Sequence, residues 1–440
     1  MGSWWTQARI SSVKKIVRIF GPTYSLLLRR IPELPLRLAA KHLARVFPRD
    51  HRLILFGADY NTFTDNTAYQ YLAMPATDPE ARSVWVTSSK QLAVTLEQDG
   101  LDVVLRTSLK GIWSALRAGT YVYGSYVSDI NGWFYEGARL VNLWHGIPLK
   151  RIEHDIHLGP LASIYGERNS RRGQFYSLVL AERRQKPDIL LSSSRFVSEK
   201  CLQSAFQLAS GQILEVGLPR NDHLMHQRQP SLLRYTPSRD LWASLAGAAT
   251  LIGFFPTWRD SQRAEVTVAE TLEVLRKWAV SRGGTVLYKP HDNSSQQAHD
   301  KEGVLQLRRG DDLTAFLGLC HILVTDYSSV AFDFLLLNRP IIYYTPDYHS
   351  YAATRGFYFD REEGMPGPIA ENLLELREAI GQIDELDSMY KPKRERLRGK
   401  IWNEYVGQSA EQVLQFLLER KADEYSSVVN ISSARKVRVF

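Results

Sequence analysis

The sequence predicts an α/β protein built from two doubly wound parallel sheets that face a cleft. Three observations carry this. Short apolar runs alternate with helix-periodic stretches from residue 51 onward; the alternation stops at a polar segment and then restarts; and polar clusters stand where the apolar runs end. Strands separated by helices pair in parallel, and both faces of such a sheet are covered. A chain of 440 residues exceeds one compact core and implies two domains or three.

The first 50 residues are of a different kind. Ten cations (Arg9, Lys14, Lys15, Arg18, Arg29, Arg30, Arg37, Lys41, Arg45 and Arg49) stand there against Glu33 and Asp50, so this segment carries the whole formal charge of +8. The neutral body argues against a nucleic-acid groove, which needs its own basic surface. Trp5, Ala8, Val13, Ile16, Val17 and Phe20 recur at three- and four-residue steps, opposite Gln7, Ser11, Lys14, Lys15 and Arg18. A second apolar block laced with cations follows at 26–28 and 36–46. The longest uncharged stretch, 19–28, falls far short of the ~20 residues that cross a bilayer, and charges interrupt every candidate signal-peptide core. Residues 1–50 therefore read as a basic amphipathic helical N-terminus lying on an anionic cytoplasmic leaflet. A helix packed on the protein body with a solvated basic face is the alternative.

In the first domain, 51–226, strands are expected at 52–57, 83–87, 102–105, 120–123, 140–143, 188–192 and 213–217, with helical spacing over 89–98 and 108–118. The polar stretch 227–239, with Pro230 and Pro237, marks the boundary. The second domain, 240–390, restarts with strands at 250–255, 285–288, 322–325 and 340–344, and helices at 268–280, 313–319 and 330–337. Helical spacing over 373–385 and 390–420 closes the chain, with 391–440 read as helices packing back on the body and a basic tail. Cys201 and Cys320 are too few and too isolated for a disulfide framework or thiolate metal site, which fits a reducing compartment.

Ligands in such sheets sit beyond the carboxyl ends of the strands, and that is where the polar clusters fall. Thr325-Asp326-Tyr327-Ser328-Ser329 ends one apolar run and opens a segment with Val330, Phe334 and Leu337 at helical spacing. A strand, a tight turn and a helix start would aim backbone N–H groups and two hydroxyls at one anion, a phosphate above all. Trp144-His145-Gly146 follows a first-domain strand, and its imidazole can take a proton from an attacking hydroxyl. Pro219-Arg220-Asn221-Asp222 offers an anion clamp and a hydroxyl-fixing amide. Thr257-Trp258-Arg259-Asp260 supplies a hydroxyl, a stacking surface and a cation. Lys289-Pro290-His291 places a cation and an imidazole two residues apart.

In this order the clusters, from Trp144-His145-Gly146-Ile147-Pro148-Leu149-Lys150 to Arg355-Gly356-Phe357-Tyr358-Phe359-Asp360 and Pro366-Gly367-Pro368, resemble the CDP-glycerol glycerophosphotransferases over residues 50–415. That family comprises the teichoic-acid primases and polymerases of bacterial walls and relatives that build capsules. The resemblance implies the two-Rossmann glycosyltransferase B (GT-B) fold and peripheral attachment to the cytoplasmic face of the inner membrane. It implies transfer of a polyol phosphate, glycerol phosphate first, from a CDP-activated donor to a hydroxyl of a polyprenyl-diphosphate-linked acceptor, releasing CMP. His145 would be the base and His291 a second catalytic histidine. Arg220, Asn221, Thr257, Arg259, Lys289, Asp326, Ser328 and Ser329 would hold the donor, the two serines on its diphosphate. The family usually shows His-Pro after the basic residue, whereas Pro290 precedes His291 here. No cofactor is expected beyond the CDP-polyol substrate, and with no Asp-x-Asp pair the protein's own cations are expected in the metal's place. A nucleotide-sugar glycosyltransferase and a non-catalytic membrane-tethered binding protein are the alternatives.

Overall fold

The computed structural model describes residues 30–75, 81–158, 162–165, 174–175, 178–257, 262–290 and 302–419. Residues 1–29, Arg259, His291 and the basic tail lie outside them.

The first sheet has seven strands: β1 (Asp50–Gly57), β2 (Arg82–Thr87), β3 (Val103–Leu105), β4 (Ala118–Tyr123), β5 (Arg139–Asn142), β6 (Ile189–Ser192) and β7 (Ile213–Glu215). The second has six: β8 (Leu251–Phe255), β9 (Thr285–Tyr288), β10 (Val304–Gln306), β11 (Ile322–Thr325), β12 (Ile341–Tyr344) and β13 (Ile369–Ala370). Every pairing within the two sheets is parallel. The orders are β3-β2-β1-β4-β5-β6-β7 and β10-β9-β8-β11-β12-β13. Strand order therefore reverses between β1 and β4 in one sheet and between β8 and β11 in the other, and such reversals open the crevice where ligands sit.

Two-residue periodicity assigns side chains to faces. In β1, Leu53 and Leu55 join one apolar cluster while Ile54 and Phe56 join another. In β8, Ile252 and Phe254 face an outer cluster, while Leu251 and Phe255 join the same cluster as Phe56. That shared cluster runs from the first sheet into the second, so one continuous apolar core underlies both.

The eleven expected strands form. The two that sequence misses, β10 and β13, are edge strands of three and two residues, too short to show a period. Sequence also misses the helix Asp65–Ala73, which buries Asn66, Thr67 and Gln70 along with Ala68, Tyr69 and Tyr71 and so shows no clean apolar stripe. The helix expected over 390–420 is broken: Ile383–Trp402 ends at Asn403, in a positive-φ conformation (47°), and Ser409–Leu418 follows.

Several contacts stitch the two halves together. Lys150 pairs with Phe357 in an antiparallel bridge, flanked by main-chain bonds from Arg151 N to Gly356 O (3.2 Å) and Tyr358 N to Leu149 O (3.0 Å). The closing helices return to the first domain: Ser193 and Ser194 donate to the carbonyls of Ile401 and Lys400 at 2.7 and 2.9 Å. Trp402 Nε1 donates to Phe332 O at 2.8 Å.

Candidate active site

The second-domain wall is assembled at the β8/β11 reversal. Thr257 follows β8 and Asp326 follows β11. The Asp326 carboxylate accepts Thr257 N at 2.8 Å, Thr257 Oγ1 at 2.6 Å and Tyr327 N at 2.6 Å on one oxygen. Thr325 Oγ1 adds a bond to Phe255 O at 2.6 Å. Asp326 is buried and fastens two strand ends together; Thr257, Ser328 and Ser329 are half-buried beside it. A five-residue helix, Val330–Phe334, then leads into a 3₁₀ turn. Lys289, after β9, is half-buried, and its Nζ reaches Asp311 O at 3.1 Å.

The first-domain wall is the turn after β5. Trp144 is buried, with φ 52°, and its ring lies 4.0 Å from that of His145. The His145 ring opens onto the cleft. Its Nδ1 lies 3.2 Å from Gly124 O and 3.3 Å from Ser125 Oγ. A carbonyl only accepts, so Nδ1 carries the proton and Nε2 the lone pair. The protein packed around the cleft strips water from the imidazolium and lowers its pKa, against the pull of Asp65, so the ring is neutral at pH 7.

Between the walls lies a buried ion network. Arg220 Nη2 donates to Asp333 at 2.6 Å, and Nη1 to Asp65 at 2.9 Å and to His145 O at 2.9 Å. Asn221 Nδ2 donates to the other Asp333 oxygen at 2.7 Å. Burial alone would lower the Arg220 guanidinium; Asp333 and Asp65 outweigh it and raise its pKa. Tyr69, on the Asp65–Ala73 helix, donates to Asp312 at 2.6 Å, and burial pushes that carboxyl up to about 6. Arg220 and Asn221, expected on the donor, are thus committed to carboxylates. They join the His145 turn to the helix that begins beside Ser329.

The walls meet at Gly146. Its φ is +135°, and a Cβ placed there would lie 2.9 Å from Arg220 Nη2 and 3.2 Å from Ser329 Oγ. Only glycine admits both the backbone angle and the approach. His145 and Ser329, 184 positions apart in their numbering, therefore flank one junction. Thr257 and Ser328-Ser329 follow neighbouring strands on the second-domain side and are tied through Asp326, while Lys289 follows the next strand, β9. Sequence reading missed Asn66 and Asp65, and it placed Asp333 in the serine motif without giving it a role. The Thr64-Asp65-Asn66 turn, at the start of an unrecognised helix, is the one signal that could have found the first two.

An enzyme of two parallel-sheet α/β domains, with a histidine turn of one meeting a serine turn of the other, is the class this geometry defines. The chain belongs to the CDP-glycerol:poly(glycerophosphate) glycerophosphotransferase family, which it matches over residues 39–419. It is a transferase enzyme of that kind. It is 29% identical over 368 residues to the teichoic acid glycerol-phosphate transferase of Staphylococcus aureus (strain NCTC 8325 / PS 47), covering 81% of this chain and 90% of the relative. With the teichoic acid poly(glycerol phosphate) polymerase of Bacillus subtilis (strain 168) it shares 26% identity over 389 residues, 86% of this chain but 49% of the relative. The solved wall teichoic acid polymerase TagF superposes with a TM-score of 0.67 at 20% identity, over 90% of this chain and 96% of that one. TagF thus shares the fold of two parallel-sheet α/β domains.

Proposed function

We propose that this enzyme transfers a polyol phosphate, glycerol phosphate first, from a CDP-activated donor to a hydroxyl of a polyprenyl-diphosphate-linked acceptor and releases CMP. The two domains then act as the halves of a GT-B cleft. The acceptor oxygen attacks the phosphorus bearing the polyol, the bond from that phosphorus to the bridging oxygen breaks, and CMP leaves with the electron pair. His145 Nε2 takes the hydroxyl proton. Such chemistry asks chiefly for positioning and charge neutralisation. Ser328 and Ser329 hold the diphosphate and Lys289 balances its charge, with Arg259 and His291 on the same side by sequence. Thr257, expected on the donor, gives both its N–H and its hydroxyl to Asp326 and braces the wall instead. These cations serve where a metal otherwise would, so chelation is expected to leave turnover unchanged.

The observation that supports the reading is the approach of Ser329 to Gly146, the residue that follows His145. The test is incubation with CDP-glycerol and a polyprenyl-diphosphate-linked acceptor, with CMP release as readout. Consumption of a UDP-sugar in place of CDP-glycerol overturns it.

The acceptor's lipid requires a bilayer, and an exposed apolar patch supports peripheral attachment. Leu36, Leu43 and Val46 on the helix Leu34–Val46 lie open, as do Leu109 (87%) and Trp113 (59%) on the helix Leu109–Arg117. Phe47 joins the two groups through an edge contact with Trp113 at 5.6 Å. Exposed Arg45 and Lys110 belong to the same two helices. Apolar side chains, a tryptophan and cations at one surface suit an anionic leaflet at the cytoplasmic face. Among the described residues no helix is long and apolar enough to cross a membrane.

A further inference from the structure

The turn that carries His145 does not hold itself. Trp144 occupies the left-handed region, which bulky side chains disfavour. Asn142 Oδ1 accepts Trp144 N at 2.8 Å. Three consecutive carbonyl oxygens then accept from only two side chains. Asn66 Nδ2 donates to Leu143 O at 3.2 Å and to Trp144 O at 2.9 Å, and Arg220 Nη1 takes His145 O. Asn66 Oδ1 in turn accepts the backbone N–H of Arg220 at 3.1 Å. Asn66 is fully buried. A planar carboxamide offers two donors and an acceptor on one group; a carboxylate of the same shape offers only the acceptor.

We propose that Asn66 is a positioning residue for the transfer reaction. It fixes the Leu143–Trp144 path that aims His145 Nε2 into the cleft, and it registers that path against Arg220. Through Arg220 and Asp333 the same register reaches the Ser329 wall. Asn66 touches no substrate; it acts through His145. The proposal rests on His145 serving as the base.

The deciding variant is Asn66→Asp, which keeps size and the acceptor for Arg220 N but loses both donors. CMP release from CDP-glycerol should show kcat reduced on the order of 100-fold, the scale of a displaced catalytic group. KM for the donor should stay within about threefold, because the serine wall is untouched. In an NMR titration the His145 ring, assigned by its disappearance in His145→Asn, should move upward, since a carboxylate then lies beneath its turn. Gln70→Ala removes a bond to Ala410 O from the same helix, and should lower thermal stability while leaving kcat unchanged.

If His145→Asn retains turnover, the base reading falls and this proposal with it. If His145→Asn is inactive while Asn66→Asp keeps wild-type kcat, or loses only donor affinity, the positioning role alone falls. An unmoved His145 titration in Asn66→Asp overturns it as well, and that measurement stands even where CDP-glycerol is not turned over.

Discussion

The two walls of the cleft are built by opposite means. On the second-domain side regular structure does the placing: Ser329 has φ −63° and ψ −17°, an ordinary helical conformation, and Asp326 ties two neighbouring strand ends. On the first-domain side His145, the proposed base, rides a turn with Trp144 at φ 52°, held by side chains from other elements. The serine turn has ordinary helical backbone, and its long-range tie, Asp326 to Thr257, joins two neighbouring strands of one sheet. The histidine wall is correct only while Asn66 and Arg220 hold it. Anion binding can thus survive changes that abolish proton transfer.

Four experiments break or sharpen that contrast. The largest expected effect is His145→Asn, with kcat lower by roughly 10²–10⁴-fold, the range of general-base catalysis. Donor binding by calorimetry should persist. In the wild type, activity should fall with decreasing pH only below the ordinary histidine range. The folded-state pKa is lowered from 6.5, so the ring stays a base in acid that would protonate a free one.

Next comes Arg220→Met, which leaves Asp333 and Asp65 facing each other without their cation. Breaking a buried pair on one side costs about 3–5 kcal/mol. Chemical denaturation should register that loss, and activity should disappear with it. If Arg220 bound the donor instead, donor affinity would fall while stability held.

Ser329→Ala should lower kcat/KM by roughly 10–100-fold, the worth of one hydrogen bond to a charged group, about 1.5–3 kcal/mol. Its melting temperature should not change. A drop in stability would mean that the serine wall also depends on side-chain support, and the contrast would collapse.

The smallest effect on catalysis is expected at the apolar patch. Leu109→Ser with Trp113→Ala should reduce sedimentation with anionic vesicles by about tenfold or more, from the loss of two buried apolar side chains. Turnover of a soluble acceptor analogue should be untouched. Unchanged vesicle binding would assign membrane attachment to other parts of the chain.

The same contrast explains what the sequence could say. Thr325-Asp326-Tyr327-Ser328-Ser329 announces itself because an apolar run, a polar turn and a helical period adjoin one another. Arg220 was legible as an anion clamp at a strand's end, but not as one whose anions are the protein's own carboxylates. Its partners Asp65 and Asp333 lie 155 and 113 residues away, and no local pattern reports such a pairing. Asp326 was legible as polar, whereas its commitment to Thr257 across the β8/β11 reversal depends on strand order. Asn66 was hidden because its helix buries polar residues, which erases the period that reveals amphipathic helices. Arg259 and His291 lie outside the described residues, so their places rest on sequence.

The seam at Lys150 and Phe357 has a bearing on how such a chain can change over generations. Its bonds from Arg151 to Gly356 and from Tyr358 to Leu149 run between main chains, which recognise contour and not side-chain identity. These main-chain bonds tolerate substitution so long as the path is kept, although Gly356, at φ +69°, and Tyr358, whose hydroxyl donates to Asp155 at 2.6 Å, are held by constraints of their own. A single insertion or deletion within 149–152 or 356–358 would instead shift every partner at once. The seam's main-chain bonds thus constrain loop length more than they constrain sequence.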